Sequence, residues 1–341
     1  MNFYESIGGE IKKFALPSMY NYLYSVSSLL NNRTYEDFKN WRISEYSKLQ
    51  EPQLILNNEN KQFLFEQLFF AYKLMNNVKF LSAQPETERV SFIQVGGMAF
   101  YYASYSLAAC FIYCHSKNIL GTHAKTYKNY STVCEKLSFP FNVAGRYPNA
   151  SFKGNEFQIT KGQNEFGSQF QYDTQSLKRT NMSGFDYKSC VLSYLMGSHK
   201  FYWDHSQYYK EAMKELRRQE LSNFRSNAGK AVREQKFNQM PEANYLSCLY
   251  RLRGKINYRD SLFSLYYLSD MGFNTYEKGT EIVRIMLEIL KYFSLDVEAY
   301  LLHRLGGNNF YKNLLDDIML STRGYNFFFP EFQKNIFYPS P

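Results

Sequence analysis

The sequence lacks the short motifs by which many enzymes announce themselves. It has no GxxxxGK[ST], so no P-loop cradles a nucleotide phosphate, and neither GxSxG nor HExxH occurs. Cysteine is sparse: the five are Cys110, Cys114, Cys134, Cys190 and Cys248, an odd number without a CxxC pair. Cys110 and Cys114 lie one helical turn apart and His115 follows, but a zinc site needs further ligands that the local sequence does not supply. Reduced, buried thiols in a cytoplasmic protein are expected, with no metal and no cofactor. Internal repeats, coiled-coil heptads and low-complexity tracts are missing too, which excludes solenoid and fibrous architectures. The first residues, "MNFYESIGGEIKKF", carry early acids and no long apolar run, so they do not read as a secretory signal.

What the chain has in abundance is tyrosine and phenylalanine, 31 and 30 of its 341 residues. The length fits one large domain or two smaller ones and is ample for a core. Aromatic side chains bury large areas, and tyrosine keeps a polar end that needs a partner, so an aromatic-rich core is the plain reading and base-stacking platforms the sharper one. The formal net charge of +9, from 40 Lys and Arg against 31 Asp and Glu, mildly favours a polyanionic partner. Residues 91–116 contain no charged side chain and are long enough to span a bilayer. They are rich in Gly, Ser and Tyr and poor in Leu, Ile and Val, which favours a buried amphipathic helix and no membrane.

Along the chain, hydrophobic periodicity predicts helices almost throughout. Residues 1–55 read as short helices, with Thr34 as an N-cap and Glu36 and Asp37 in the first turn behind it. Residues 60–82 form a strong helix with Phe65, Leu68, Phe69, Tyr72 and Met75 on one stripe. A second helix covers 93–117, with Gly96 and Gly97 marking a bend or a close helix contact, Gly121 as C-cap and Thr122 opening the next element. Residues 137–180 carry Pro, Gly and Asn at close intervals around short alternating runs such as "FQIT", and read as loops with short strands. Helix returns at 186–204, at 242–269 and at 275–304, the last with a stripe of Ile282, Ile285, Met286, Ile289 and Leu290. Between them, 205–237 is the most basic segment. Its cations include Arg217, Arg218, Arg225, Lys230, Arg233 and Lys236, which fit either a solvated helix laced by ion pairs or a phosphate-contacting one.

The stretch "LYRLRGKINYRDSLF", residues 249–263, concentrates polar chemistry on a helix. Leu249, Leu252, Ile256 and Phe263 form its buried stripe, while helical spacing sets Arg251 near Tyr258 and Arg253 near Asn257 and Asp260. Arginine cannot give up its proton at working pH, so Arg253 can hold a phosphate or carboxylate but cannot act as a base. Tyr258 can serve as an acid only if its pKa falls well below ~10. The five histidines, His115, His123, His199, His205 and His303, are scattered.

This stretch, followed by a long amphipathic helix, resembles the last two helices of HEPN-superfamily proteins. "AFYYASYSLAACFIYCHSKNILGTH" is similar to their earlier aromatic "YYA" helix that runs to a Gly and then a His. The resemblance covers about 60–136 and 242–304. It implies a mainly α, HEPN-like helical bundle with these parts: an N-terminal helical extension at 1–55, a first part of the bundle at 56–136, an insertion of loops, short strands and a basic helix at 137–241, a second part at 242–304 and a C-terminal extension at 305–341. It also implies a homodimer or a subunit of a defence complex, and RNA rather than DNA as the nucleic acid. Active members of that superfamily carry an Arg followed, after four to six residues, by a His. None of the five histidines here has such an Arg upstream. The resemblance therefore leaves Arg253 as phosphate clamp, Asn257 and Tyr258 as orienting groups, and His123 as the proton carrier from another helix. Arg251, Lys255 and Arg259 join the basic segment as candidate nucleic-acid contacts. Two functions stay open: an RNA-targeting effector of toxin–antitoxin or anti-phage defence, and a non-catalytic helical scaffold that binds a partner.

Overall fold

The computed structural model of the chain describes residues 15–85, 92–153, 156–178, 185–256 and 275–305. The fold is mainly α. Ten α-helices occur among these residues: α1 (Ala15–Leu30), α2 (Tyr35–Ser47), α3 (Asn58–Ser82), α4 (Ile93–Ser116), α5 (His123–Val133), α6 (Tyr187–His205), α7 (Gln207–Arg218), α8 (Asn227–Phe237), α9 (Tyr245–Gly254) and α10 (Thr275–Arg304). A small antiparallel sheet, order β2-β1-β3, is made of β1 (Ala144–Arg146), β2 (Gln158–Lys161) and β3 (Ala243–Asn244). The "FQIT" run is thus a strand, with Gly145 facing Ile159 in the register and Ala144 facing Asn244 on the other side.

Local chemistry explains many of the boundaries. Thr34 caps α2 by accepting from the Asp37 N–H, and Thr122 caps α5 by accepting from the Lys125 N–H. Asn244 and Ser247 form a reciprocal capping box at the start of α9. Other boundaries differ from expectation. Helix α4 stops at Ser116, five residues short of Gly121, because Lys117 itself adopts the left-handed conformation that ends the helix. The basic segment 205–237 is not one helix: Gln219–Ser226 breaks it, with Ser226 capping α8 through the Gly229 N–H. The predicted helix 242–269 begins at Tyr245, and its part beyond Ile256 lies outside the described residues.

Helix α4 is the axis of the core. It packs on α3, α10, α9 and α5, and 17 of its residues are buried, which is why it shows no single stripe. The helix is long and apolar enough to cross a membrane, but 78% of its apolar window lies inside the fold. On α3 the fully buried line is Leu64, Leu68, Ala71, Met75 and Val78, whereas Phe65 and Phe69 stack on each other at its flank. Helices α1 and α2 pack against α10, and α6 packs against α1 and α9. One hydrophobic cluster therefore runs from Met19 to Leu305 through every segment of the described chain.

The tyrosine hydroxyls are anchored on α10. Tyr20 of α1 donates to Glu281, Tyr35 and Tyr46 of α2 to Glu288 and Asp296, and Tyr72 of α3 to Glu298. Asp296 is fully buried. It also accepts from Arg42 Nε at 2.5 Å and from the Ser138 N–H at 2.6 Å, while Arg42 Nη2 donates to the Lys136 carbonyl. Burial works against the Arg42 charge, and Asp296 and Tyr46 more than restore it, so the guanidinium stays charged. A buried charge stripped of its partner is costly. Asp296→Ala is expected to lower stability in urea unfolding by about 3–5 kcal/mol, and combining it with Arg42→Met should cost less than the two single losses added together.

His199 is the buried histidine of α6. It is caged by the rings of Tyr147, Phe152, Phe157 and Phe237. Burial, helped by Arg146, pushes its pKa from 6.5 down to about 3. A depressed base stabilises the fold above its unfolded pKa and loses that contribution as pH falls. Between pH 6.5 and 3 this one group should remove about 1.4 kcal/mol of stability per pH unit. Denaturation curves at pH 7 and 5 should show a smaller pH-linked loss for His199→Phe than for the wild type.

Candidate functional site

The polar cluster with the most chemical potential forms where α4, α5 and the end of α9 meet. Its parts come together for local reasons. Tyr101 and Tyr105 are one turn apart on α4 and so share a face. Thr122 fixes the start of α5 and thereby presents His123, its first residue. Ile256, just past α9, lies so close to Gly97 that a Cβ there would meet its Cδ1 at 2.5 Å, so the absent side chain lets α9 close onto α4.

Within the cluster, His123 Nδ1 and the Tyr101 hydroxyl are 2.9 Å apart. The His123 ring lies 4.2 Å from that of Tyr105, whose hydroxyl bonds Thr126 Oγ1 at 2.7 Å. Arg253 places its guanidinium 5.2 Å from the Tyr101 ring centre and 5.3 Å from that of Tyr102, a cation over two aromatic rings. Arg253 Nε is buried and without a hydrogen-bond partner. The charge states follow from this packing. Burial and then Arg253 hold His123 below its ordinary pKa, so it is neutral near pH 7 and able to accept a proton. Burial pushes the Tyr101 phenol up, and Arg253 offsets only part of that rise, so Tyr101 is a neutral hydrogen-bonding group. A permanent cation, a neutral imidazole and stacked rings converge here from three helices.

The structure thus brings Arg253 and His123 to the same tyrosine. Asn257, Tyr258 and Arg259 lie outside the described residues. Tyr101, Tyr102 and Tyr105 had no assigned role in the sequence, although their i, i+1, i+4 spacing was a signal that two of them share a helix face.

Arg251 occupies a different environment from Arg253. Its guanidinium lies over the Tyr194 ring at 4.5 Å and donates to the Tyr194 carbonyl at 3.1 Å. It fills the space left by Gly197, where a Cβ would come within 2.3 Å of Nη1. Arg251 therefore locks α9 to α6, and its fork is turned into protein rather than outward. Lys255 is half-buried in the final turn beyond α9.

In the α7–α8 hairpin, half of the six basic candidates have acidic partners. Arg218 pairs with Glu215 at 2.7 Å, Arg233 with Glu234 at 2.8 Å and Lys236 with Glu211 at 3.4 Å. Glu234 also receives the Ala150 N–H, which ties α8 to the loop region. Arg217, Arg225 and Lys230 are exposed and have no ion pair among the described residues. Arg217 lies in the last turn of α7 and Arg225 in the connection that follows, so both sit at the hairpin's turn end.

No family model matches this chain, and no curated protein or solved structure matches it either.

If the hairpin contacts phosphates, Arg217, Arg225 and Lys230, the three of those candidates without an ion pair among the described residues, contribute to the contact. Reversing Arg217, Arg225 and Lys230 to Glu should then weaken RNA binding for all sequences alike and flatten the log–log salt slope by about three contacts' worth. Gel shifts across a salt series read both effects; a slope unchanged by the triple reversal would return the hairpin to a solvated surface.

Proposed function

We propose that this chain is a HEPN-like nucleic-acid-interacting protein that acts on RNA, as an effector of the toxin–antitoxin or anti-phage defence kind. The observation that supports this reading is the meeting of Arg253 and His123 at Tyr101. RNA carries its own nucleophile, the 2′-hydroxyl. A neutral His123 can take that proton, and Arg253, which keeps its charge at any working pH, can stabilise the charge that develops on the phosphate. Tyr101 fixes the His123 ring through Nδ1 and leaves Nε2 for the substrate, while Tyr102 and Tyr105 offer faces for base stacking. The exposed cations of the α7–α8 hairpin add attraction without sequence preference.

A second reading, a scaffold that binds a partner, is favoured by apolar surface. Phe70 and Phe80 on α3 and Val95 at the start of α4 are 45%, 66% and 57% exposed, more than folding alone requires of large apolar groups.

Incubating the purified protein with end-labelled RNA and DNA separates the two. Cleavage of RNA is expected, with a pH profile that rises below pH 6.5 as His123 loses its proton and is flat at pH 7. His123→Gln should abolish cleavage while keeping binding, and Arg253→Lys should lower cleavage by about a hundredfold, since it retains charge but loses the planar fork. A wild-type protein that neither shifts nor cuts RNA sinks the catalytic reading and leaves the scaffold.

A further inference from the structure

The end of α6 carries aromatic rings that the core covers only in part. Phe201, Tyr202 and His205 of α6 and Tyr250 of α9 are each half-buried. The Phe201 ring stacks on that of His205 at 4.2 Å, and Tyr250 stands 6.4 Å from Phe201 and 6.2 Å from Tyr202. Phe201 rests on bare backbone at Gly254, where a Cβ would come within 3.1 Å of its Cζ. Gly254 follows Arg253, whose guanidinium lies over Tyr101 and Tyr102, and Tyr102 borders His123. The ring group therefore adjoins the Arg253 cluster.

The same rings lead on to α7. His205 ends α6, and Ser206 turns the chain and caps α7 by accepting from the Tyr209 N–H. A helix turns about 100° per residue, which sets Lys210, Lys214 and Arg217 within about 60° of one another on α7. They lie opposite Ala212 and Leu216, which bury the other face. All three are exposed and have no ion pair among the described residues. The acids between them are engaged, Glu211 by Lys236 and Glu215 by Arg218. Asp204 beside the rings and Glu220 beyond the row are exposed acids at its two ends. Helix α7 is about 18 Å long, so the row runs from the ring group to the turn of the hairpin, where Arg225 follows.

From this arrangement we propose that the ring group and the α7 row form one track for single-stranded RNA, leading from the Arg253 cluster to the turn of the α7–α8 hairpin. The track rests on the RNA reading and adds to it the form of the strand and its path. Cations in a line hold successive phosphates of one strand, and half-buried rings offer faces to its bases. Those faces are open to unstacked bases alone, so a duplex, whose bases are closed inward, cannot use the ring half of the track.

The test is fluorescence anisotropy of the full chain with labelled oligouridylates of about three to about sixteen nucleotides, across a salt series. Affinity should rise with length until the track is filled and then level off, and the salt slope should steepen over the same range. Replacing Lys210 and Lys214 together by Ala should weaken the longer strands by about tenfold and flatten the slope by about two contacts' worth. Both side chains are exposed, so that variant should keep the wild-type melting curve. Phe201→Leu should weaken the same strands with the slope unchanged, because stacking releases no counterions. A blunt RNA duplex of equal length should bind less tightly than the single strand. Affinity that ignores length, wild-type affinity in the double lysine variant, or tighter binding of the duplex overturns the track. Length-dependent binding without cleavage supports the track and overturns the catalytic reading, whereas cleavage with length-independent affinity does the reverse. No binding at any length overturns both.

Discussion

The ion pair between Arg42 and Asp296 is the interaction on which the arrangement of the helices depends. Both charges are almost wholly out of water, so each is tolerable only while the other is present and the remaining hydrogen-bonding positions are filled. They are filled from three directions: Tyr46 from α2, the Ser138 N–H from the loop after α5, and the Lys136 carbonyl beside it. One buried carboxylate on α10 therefore fixes α2 and the loop in a single geometry.

The tyrosine content has its explanation in the same place. A helix carrying Glu281, Glu288, Asp296 and Glu298 toward a protein interior would be untenable if its acids met only apolar groups. Tyrosine solves this by combining a large buried ring with one donor at its tip. Tyr20, Tyr35, Tyr46 and Tyr72 each spend that donor on one of the four acids, and α10 returns the arrangement through Tyr292 to the Arg33 carbonyl and Tyr300 to Glu51. Most of the aromatic excess is structural in this sense. Among the half-buried rings, Tyr102 and Tyr105 border His123.

The two arginines of α9 show how little separates a structural from a chemical role. Arg251 and Arg253 are two positions apart, which on a helix turns them about 200° from each other. Arg251 meets the bare backbone of Gly197 and a carbonyl, and is consumed by packing. Arg253 meets the faces of Tyr101 and Tyr102, which attract a cation. Burial first and then the Arg253 charge lower the pKa of His123.

The helical class, the caps at Thr34 and Thr122, the strand at "FQIT" and the buried stripe of Leu249, Leu252 and Ile256 were all legible in the sequence alone, because each leaves a local signal, a capping side chain or an apolar period. The capping residue of α4 was not, since Lys117 takes the left-handed conformation that local propensity assigns to Gly121. Nor was the break at Gln219–Ser226, where charge periodicity continues although the helix does not. The meeting of His123 with Tyr101 and Arg253 was decided only by tertiary structure. His123 and Arg253 are 130 positions apart, and their approach depends on α5 folding back along α4 and on Gly97 admitting Ile256, two events of packing that leave no periodic trace in the chain.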